Sequence, residues 1–402
     1  MHPVLSLDDK MQMKPKTIAT IFLIAIITVG ASYFIFLKTQ YIEDYIYRLT
    51  FPLSKLKNEQ IVLVVIDNST IREIGGYPFK RSEYAKAIAH ILKGKPKVIG
   101  VDMFFDGIKD LDDDLQLAEV MDKADTNIVL GIYPMEFDSL FINVLNKNKS
   151  APPIDNSYHF NNVSYGNVGI FEIEGGGIIR FIPTRFIDTR NGREYRPLPI
   201  VVVSKYIDNS GYTQKSLPNG PLIQTLGNIE IPLFKRINDI APSRVMINYL
   251  GGRESFESIL FEKIPETDTL LFKDKIVLLG LSADFCRDHF PTPISNRTPG
   301  VLIHANIIDT IINNKFILGV RLNYQLIYIA IIAIIASLSA IYMRLIPALF
   351  LCIIILIINV IVFRLLLLNY HLYLYIILPS ISVLLSFVIT ITIKKIISAH
   401  RR

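Results

Sequence analysis

Aspartates stand at the ends of two apolar runs that have the composition of buried parallel strands. Asp67 ends the run Ile61–Asp67, Asp102 ends the run Val98–Asp102, and Asp106 lies just beyond the second run. Ligands of parallel sheets gather beyond the carboxyl ends of the strands, so we expect these carboxylates to face one cleft. Such a group could bind a divalent cation, bind a cationic ligand or carry out acid–base chemistry. In the alternative interpretation, Asp67 and Asp102 only cap turns by accepting hydrogen bonds from nearby backbone amides.

A third apolar run adds a hydroxyl, another carboxylate and an imidazole to the expected cleft. Ser282 follows the run Lys275–Gly280, and Asp288 and His289 come shortly after it. We expect His304 to pack or to hydrogen-bond at the start of a helix, because a lone histidine is weak evidence for a metal site. The sequence contains no phosphate-binding P-loop, no His-Glu-x-x-His zinc helix and no Gly-x-Ser-x-Gly nucleophile elbow. We therefore predict a binding protein that uses no cofactor and is not an enzyme.

Alternating strand and helix patterns would position these residues. Between the first two apolar runs, Ser82 is predicted to cap a helix that runs to Leu92 and ends at Gly94. The acidic segment Asp110–Asp125 predicts a second helix, and Asn127–Ile132 predicts a third strand. This β-α-β-α-β order predicts an α/β domain with a mostly parallel sheet and flanking helices.

The second half of the same segment carries further element signals. Apolar runs on either side of Gly175–Gly177 predict a β-hairpin. A helix is predicted over Leu198–Tyr206 and a strand over Arg244–Tyr249. A last helix, with isoleucines at helical spacing, is predicted to begin near Val301.

Four apolar segments are long enough to cross about 30 Å of hydrocarbon. They are approximately Thr17–Leu37, Tyr324–Met343, Ile346–Leu368 and Leu372–Ile393. The chain is 51% hydrophobic with a mean hydropathy of +0.39, values that predict a membrane-anchored protein with one large polar domain. The predicted division is an N-terminus with an anchor (1–40), an outer domain (41–320), three membrane helices (321–393) and a short basic tail (394–402).

The formal net charge of +6 includes basic clusters at both ends of the chain. Lysines precede the first apolar segment, and lysines and arginines follow the last one: Lys10, Lys14, Lys16, Lys394, Lys395, Arg401 and Arg402. The positive-inside rule places both ends in the cytoplasm and the polar domain on the outer side. Because these positions suit membrane orientation better than phosphate binding, we expect the lipid bilayer and not nucleic acid as a partner.

Several motifs follow one another in order between the first two predicted spans. They are Ile61–Asp67, Tyr77–Arg81, Val98–Phe105, Gly175–Pro183, Ile247–Gly251, Lys273–Gly280 and Pro299–Ala305. In this order they resemble the CHASE2 family of extracytoplasmic sensory domains of bacterial receptors, over about Phe51 to Phe316. Three membrane helices directly after the domain also resemble the family's layout. Family members often have tryptophan in the motif that here contains Tyr77 and Phe79, so we expect these aromatic residues to take over its packing.

The resemblance implies a sensor in the bacterial cell membrane whose large domain faces the periplasm or the cell exterior. It implies an unknown small-molecule ligand, and the candidate binding residues are Asp67, Arg81, Asp102, Asp106, Ser282, Asp288 and His304. Receptors of the family usually continue into a cytoplasmic enzyme domain, whereas this sequence stops after the tail 394–402. We therefore expect the signal to pass to an unknown signalling or envelope protein, or to a second copy in a homodimer. A metal-dependent envelope enzyme and a structural scaffold are the alternative functions.

Overall fold

The computed structural model describes most of the chain. The described residues are 15–38, 40–51, 56–103, 105, 110–132, 163–168, 172–173, 177–187, 194–208, 211–216, 222–234, 244–286 and 288–399. The chain divides into two compact units. One is Phe51–Leu318, called here the central unit, and the other combines Met1–Thr50 with Gly319–Arg402.

The elements are numbered in chain order. The helices are α1 (Pro15–Lys38), α2 (Gln40–Thr50), α3 (Asn68–Ile74), α4 (Arg81–Lys93), α5 (Leu111–Asp122), α6 (Leu198–Tyr206), α7 (Gly300–Ile312), α8 (Leu322–Tyr342), α9 (Leu345–Tyr370) and α10 (Ile377–Ala399). The strands are β1 (Asn58–Ile66), β2 (Val98–Asp102), β3 (Asn127–Ile132), β4 (Val163–Asn167), β5 (Glu172–Ile173), β6 (Ile179–Pro183), β7 (Phe186–Ile187), β8 (Glu194–Tyr195), β9 (Tyr212–Ser216), β10 (Leu222–Leu226), β11 (Ile229–Pro232), β12 (Arg244–Met246), β13 (Phe256–Leu260), β14 (Ile276–Leu281), β15 (His289–Phe290), β16 (Thr298–Pro299), β17 (Leu318–Gly319) and β18 (Leu372–Tyr373).

A six-stranded sheet in the order β13-β1-β14-β2-β3-β4 forms the centre of the central unit. Every neighbouring pair in this sheet is parallel. β14 lies between β1 and β2, with Ile66 opposite Leu281 and Gly280 opposite Asp102. The predicted α/β fold with a mostly parallel sheet is confirmed. The C-terminal ends of β1, β14 and β2 lie side by side at one edge of this sheet.

Helices cover both faces of this sheet, which explains why β14 and the Ile61–Ile66 part of β1 are apolar throughout. On one face, Val62, Val64 and Ile66 pack with Ile88 of α4 and Leu117 of α5. On the opposite face α6 and α7 approach so closely that only glycine fits at two strand positions. A Cβ at residue 100 would lie 2.9 Å from a methyl group of Val202, and one at residue 280 would lie 2.6 Å from the Cβ of Val301. Burial on both faces is the condition in which parallel strands are stable.

α7 is buried from Gly300 to Ile311, so each of its polar side chains must find a partner inside the protein. Asn306 accepts hydrogen bonds from the backbone N–H groups of Leu250 and Gly251, at 2.7 and 3.3 Å. The carboxylate of Asp309 accepts a 2.7 Å hydrogen bond from Asn58 at the start of β1. These contacts fix α7 against the sheet and its neighbouring loop.

Smaller elements agree in part with the expectations. The hairpin prediction is confirmed in part: β5 pairs antiparallel with β6, but the first strand is Glu172–Ile173 and not the predicted Val168–Phe171. The run that begins at Arg244 forms only the short strand β12, which pairs antiparallel with β6 and stays outside the main sheet. The prediction that Ser82 caps α4 is wrong, because the cap position is Lys80 and Ser82 is a buried residue inside the helix. Gly94 closes that helix as expected.

Four helices in the described residues are long and apolar enough to cross a membrane. They are Ala19–Phe36 within α1, Asn323–Tyr342 within α8, Leu345–Tyr370 (α9) and Ile377–Ala399 (α10). The prediction of four transmembrane helices is confirmed, and we call the unit that holds them the membrane unit. The last helix is displaced from its expected start because Leu372–Tyr373 forms the short strand β18.

A buried carboxylate connects α2 to the last helix of the membrane unit. Glu43 is 1% exposed and accepts hydrogen bonds from the hydroxyl of Tyr373 at 2.8 Å and from the backbone N–H groups of Ile376 and Ile377 at 3.0 and 2.8 Å. The first backbone N–H groups of a helix have no partner within the helix itself. Glu43 therefore supplies an acceptor and a compensating negative charge where α10 begins.

Candidate functional site

The carboxyl ends of β1 and β14 open onto a polar cleft with a volume of about 480 Å³. Its lining residues are Asp67, Asn68, Ser69, Arg72, Arg253, Ser282, Asp284, His289, Arg297 and Pro299. They belong to three separate parts of the chain: the end of β1 with α3, the segment before β13, and the segment from β14 to the start of α7. Their placement at the strand ends follows from the parallel order of β1 and β14.

Asp67 is the N-cap of α3. Its Oδ1 atom accepts hydrogen bonds from the backbone N–H groups of Ser69 and Thr70, at 2.8 and 3.1 Å, and from the hydroxyl of Ser69 at 2.5 Å. Burial alone would raise the pKa of Asp67, but these hydrogen bonds and the positive charge of Arg253 outweigh it and hold the pKa below its usual value. Asp67 is therefore an ionised carboxylate with one oxygen fully engaged by the helix.

Asp284 is tied to α3 by two hydrogen bonds across the cleft. Its Oδ2 atom accepts from the side-chain amide of Asn68 at 2.7 Å, and its backbone N–H donates to Asn68 Oδ1 at 3.0 Å. Arg297 donates to the backbone oxygen of Asp284 at 3.0 Å and lies 3.7 Å from Oδ1. The cleft is thus closed on one side by internal hydrogen bonds.

His289 reaches the cleft from β15. Its Nδ1 atom lies 3.1 Å from the backbone oxygen of Cys286. Because a carbonyl oxygen only accepts, Nδ1 carries the hydrogen in this contact, and Nε2 is the second ring atom able to make a polar contact.

Asp102 and His304 form a second, buried group, and the half-buried Asp288 lies beside it. Asp102 Oδ1 lies 3.3 Å from His304 Nε2, and the two side chains are 5% and 2% exposed. Asp288 lies against the start of α7, where its backbone oxygen accepts a 3.0 Å hydrogen bond from Gly300, and a Cβ at residue 300 would lie 2.5 Å from the carboxylate. Burial, and then the negative charge of Asp102, raise the pKa of Asp288 to about 8.

The structure therefore distributes the predicted site residues over several places. Asp67 and Ser282 line the cleft, whereas Asp102 and His304 form the buried group with Asp288 beside it. Arg81 lies in neither, because its guanidinium pairs with Asp114 of α5 at 2.6 Å. Asp106 lies outside the described residues. Across the described part of the chain, no three or more histidine, cysteine, aspartate or glutamate side chains are arranged to hold a metal ion.

Sequence reasoning missed the arginines of the cleft. Arg72 lies in α3, Arg253 precedes β13 and Arg297 precedes β16, so no local spacing connects them. The capping role of Asp67 was the alternative interpretation of the sequence, because aspartate is a preferred residue at a helix N-terminus. The structure shows that this arrangement is a capping box, with Asp67 and Thr70 each bonding the other's backbone N–H.

Comparisons with known proteins identify the family of the chain. The family model of the CHASE2 domain matches residues 18–341. The match covers most of the 402 residues and extends beyond the central unit into α1 and α8. No curated protein and no solved structure matches the chain. CHASE2 domains are extracytoplasmic sensory domains. The chain belongs to the CHASE2 domain family.

Proposed function

We propose that this protein is a membrane-anchored sensor whose central unit binds a small ligand in the polar cleft and passes the signal to a partner protein. The observation that carries the proposal is the cleft itself, at the carboxyl edge of a parallel sheet in a CHASE2 chain with four candidate membrane helices. Ligands of open parallel sheets bind at this edge. The proposal assigns no catalytic step to the chain.

The lining of the cleft suits a reversible binding site. A few polar side chains converge from three parts of the chain, so a ligand that contacts all of them would hold those parts in one arrangement. A ligand shifts a conformational equilibrium only by the difference between its affinities for the two states. In this proposal, contacts that span separate segments provide such a difference, because the ligand binds best to the arrangement that brings those segments together.

In this proposal the signal is transmitted from the cleft through α7. Pro299 lines the cleft and is followed directly by Gly300, the first residue of α7. Along the chain, α7 is followed by α8, the first of the three C-terminal membrane helices. In this proposal the ligand shifts the start of α7, and the chain transmits that shift toward α8.

In the same proposal the central unit faces the periplasm or the exterior of a bacterial cell, and the membrane is the inner membrane. The partner is an unidentified signalling or envelope protein, and a homodimer is the second arrangement. The basic residues at both ends of the sequence and the outer, sensory character of CHASE2 domains support this orientation.

A cleft-filling substitution tests the proposal. The full chain in nanodiscs is screened for thermal stabilisation by a library of small acids, amines, sugars and nucleotides. At least one class is expected to stabilise the wild type and to lose that effect in Ser282→Trp, because an indole would occupy the cleft. The matched control is Leu270→Trp, at an exposed position outside the cleft lining, and it is expected to respond like the wild type.

Two results would count against a ligand site in this cleft. One is that no class stabilises the wild type. The other is that Ser282→Trp responds as strongly as Leu270→Trp, which would place binding elsewhere in the molecule.

A further inference from the structure

We infer that the ligand of this cleft carries an oxyanion, a carboxylate or a phosphate group, which the guanidinium groups of Arg72, Arg253 and Arg297 bind. The inference rests on the proposed function, because it assigns a chemical class to the ligand of the same cleft. Three guanidinium groups line the cleft, against the two carboxylates of Asp67 and Asp284.

Arg72 has its hydrogen-bond donors available. It is an exposed residue of α3, and among the described residues it makes no ion pair or hydrogen bond. The neighbouring Glu73 does not neutralise it, because that carboxylate pairs with Lys263 at 3.4 Å. A guanidinium group offers five N–H donors in a planar fork, and all five of Arg72 can serve a ligand.

Arg253 is also incompletely paired. Its Nη1 atom lies 3.8 Å from Asp67 Oδ2, which is beyond hydrogen-bond distance. The other oxygen of Asp67 is taken by Ser69 and Thr70 at the start of α3. Arg253 is therefore attracted electrostatically to Asp67, but its N–H donors remain available to a ligand.

Arg297 repeats this arrangement on the opposite segment. It donates to the backbone oxygen of Asp284, whereas its distance of 3.7 Å to the carboxylate is long for a hydrogen bond. Asp284 Oδ2 is occupied by the amide of Asn68. In both pairs one carboxylate oxygen is engaged by the protein, and the guanidinium group keeps N–H donors that can bind a ligand.

This donor set favours an anion over a cation. Arginine binds carboxylate and phosphate through two parallel N–H···O bonds, and these charge-assisted bonds are stronger than neutral ones. The hydroxyls of Ser69 and Ser282 line the same cleft and can donate to the remaining oxygens of an anion. A cationic ligand would have to use the remaining oxygens, Asp67 Oδ2 and Asp284 Oδ1, which lie 3.8 and 3.7 Å from the guanidinium groups of Arg253 and Arg297. Those positive charges would repel it.

Direct titrations of the full chain test the ligand class. The chain is reconstituted in nanodiscs of neutral phosphatidylcholine and titrated with succinate, inorganic phosphate, putrescine and glucose, with thermal stabilisation as the readout. Succinate or phosphate is expected to stabilise the wild type, and the stronger of the two identifies the anion. Arg72→Met is expected to weaken that binding about tenfold, through the loss of charge-assisted hydrogen bonds.

Arg185→Met is the matched control. Arg185 is also an exposed arginine, but it lies outside the lining of the cleft; its contact with Glu194, at 3.7 Å, is a loose ion pair. Its substitution removes the same charge from the protein and is expected to leave the affinity for the anion unchanged. Equal weakening in Arg72→Met and Arg185→Met would show a general charge effect and overturn the inference.

Other results separate this inference from the proposed function. Stabilisation by putrescine or glucose that Ser282→Trp abolishes would overturn the oxyanion assignment and leave the cleft as a ligand site. A wild type that neither succinate nor phosphate stabilises at about 10 mM, a weak-binding limit, also overturns the assignment. If no compound class in the library stabilises the wild type, the proposed function itself is contradicted.

Discussion

Asp288→Asn measures how strongly the half-buried carboxyl group of Asp288 controls the pH dependence of stability. Burial and then the negative charge of Asp102 raise the pKa of Asp288 from 3.8 to about 8. The folded chain therefore binds this proton more tightly than the unfolded chain does. As pH rises from about 4 to about 8, the unfolded carboxyl ionises first, so the free energy of unfolding falls across this window.

The slope follows from proton linkage. One proton held only by the folded state lowers the free energy of unfolding by about 1.4 kcal/mol per pH unit. Between pH 5 and pH 7 the contribution of Asp288 is therefore about 3 kcal/mol. A change of 1 kcal/mol shifts Tm by roughly 2–4 °C in a domain of 150–250 residues, so we expect a decrease of roughly 6–12 °C from this group. Asparagine cannot ionise, and the variant should lack this part of the decrease.

Two titratable groups near Asp288, Tyr77 and Cys286, do not change protonation in this window. Burial raises the pKa values of Tyr77 and Cys286 above 10.0 and 9.0, so both stay neutral below pH 8. His304 and Asp102 are present in both proteins, so the comparison of wild type with variant reports the effect of removing the Asp288 carboxyl group.

Thermal unfolding of the full chain in detergent, followed by circular dichroism from pH 5 to pH 8, supplies the measurement. The Tm of Asp288→Asn relative to wild type should rise steadily with pH. Asp208→Asn is the control, because Asp208 is an exposed aspartate. Its backbone is in the left-handed region, which asparagine also adopts readily. A Tm difference between Asp288→Asn and wild type that stays constant from pH 5 to pH 8 would refute the raised pKa.

Two further substitutions test packing and capping. Gly280→Ala should lower the free energy of unfolding by about 1–3 kcal/mol, because its Cβ would lie 2.6 Å from the Cβ of Val301. In a Val301→Gly background, which lacks that Cβ, Gly280→Ala should cost less resistance to denaturant than it does in the wild type, and an equal cost would contradict the steric explanation. Glu43→Gln should cost about 2 kcal/mol and speed hydrogen exchange at the amides of Ile376 and Ile377, since it weakens charge-assisted bonds at the start of α10. Unchanged exchange at those two amides would argue against the cap.

The centre of the fold could be predicted because its sequence signals are strong and local. β1 and β14 are continuous apolar runs, which is the pattern of parallel strands buried on both faces. The membrane helices are identified by their length and composition alone. The edge strands β13 and β4 were not predicted, because neither has a continuous apolar run. β13 is only partly buried beyond Phe256, and β4 contains polar and glycine residues.

The candidate site was only partly predictable, because its chemistry depends on distances between segments far apart in the sequence. Asp67 and Ser282 were placed at the sheet edge from the strand pattern. The arginines were not, since the position of Arg253 depends on β13 joining β1 at the edge of the sheet. Arg81 shows the opposite error: it follows β1 in an ordered motif, but pairing with Asp114 holds it away from the cleft.

The two carboxylate environments at this edge of the sheet are connected through the start of α7. Pro299 lines the cleft, Gly300 lies against the Asp288 carboxylate, and Val301 packs on Gly280 with no room for a Cβ between them. These are consecutive residues, so a ligand that moves Pro299 must also change the packing around Asp288. A buried carboxyl group is sensitive to such a change, because its pKa depends on exclusion of water and on its distance from Asp102. Binding in the cleft should therefore shift the protonation of Asp288 and, by reciprocal linkage, pH should modulate the affinity for the ligand.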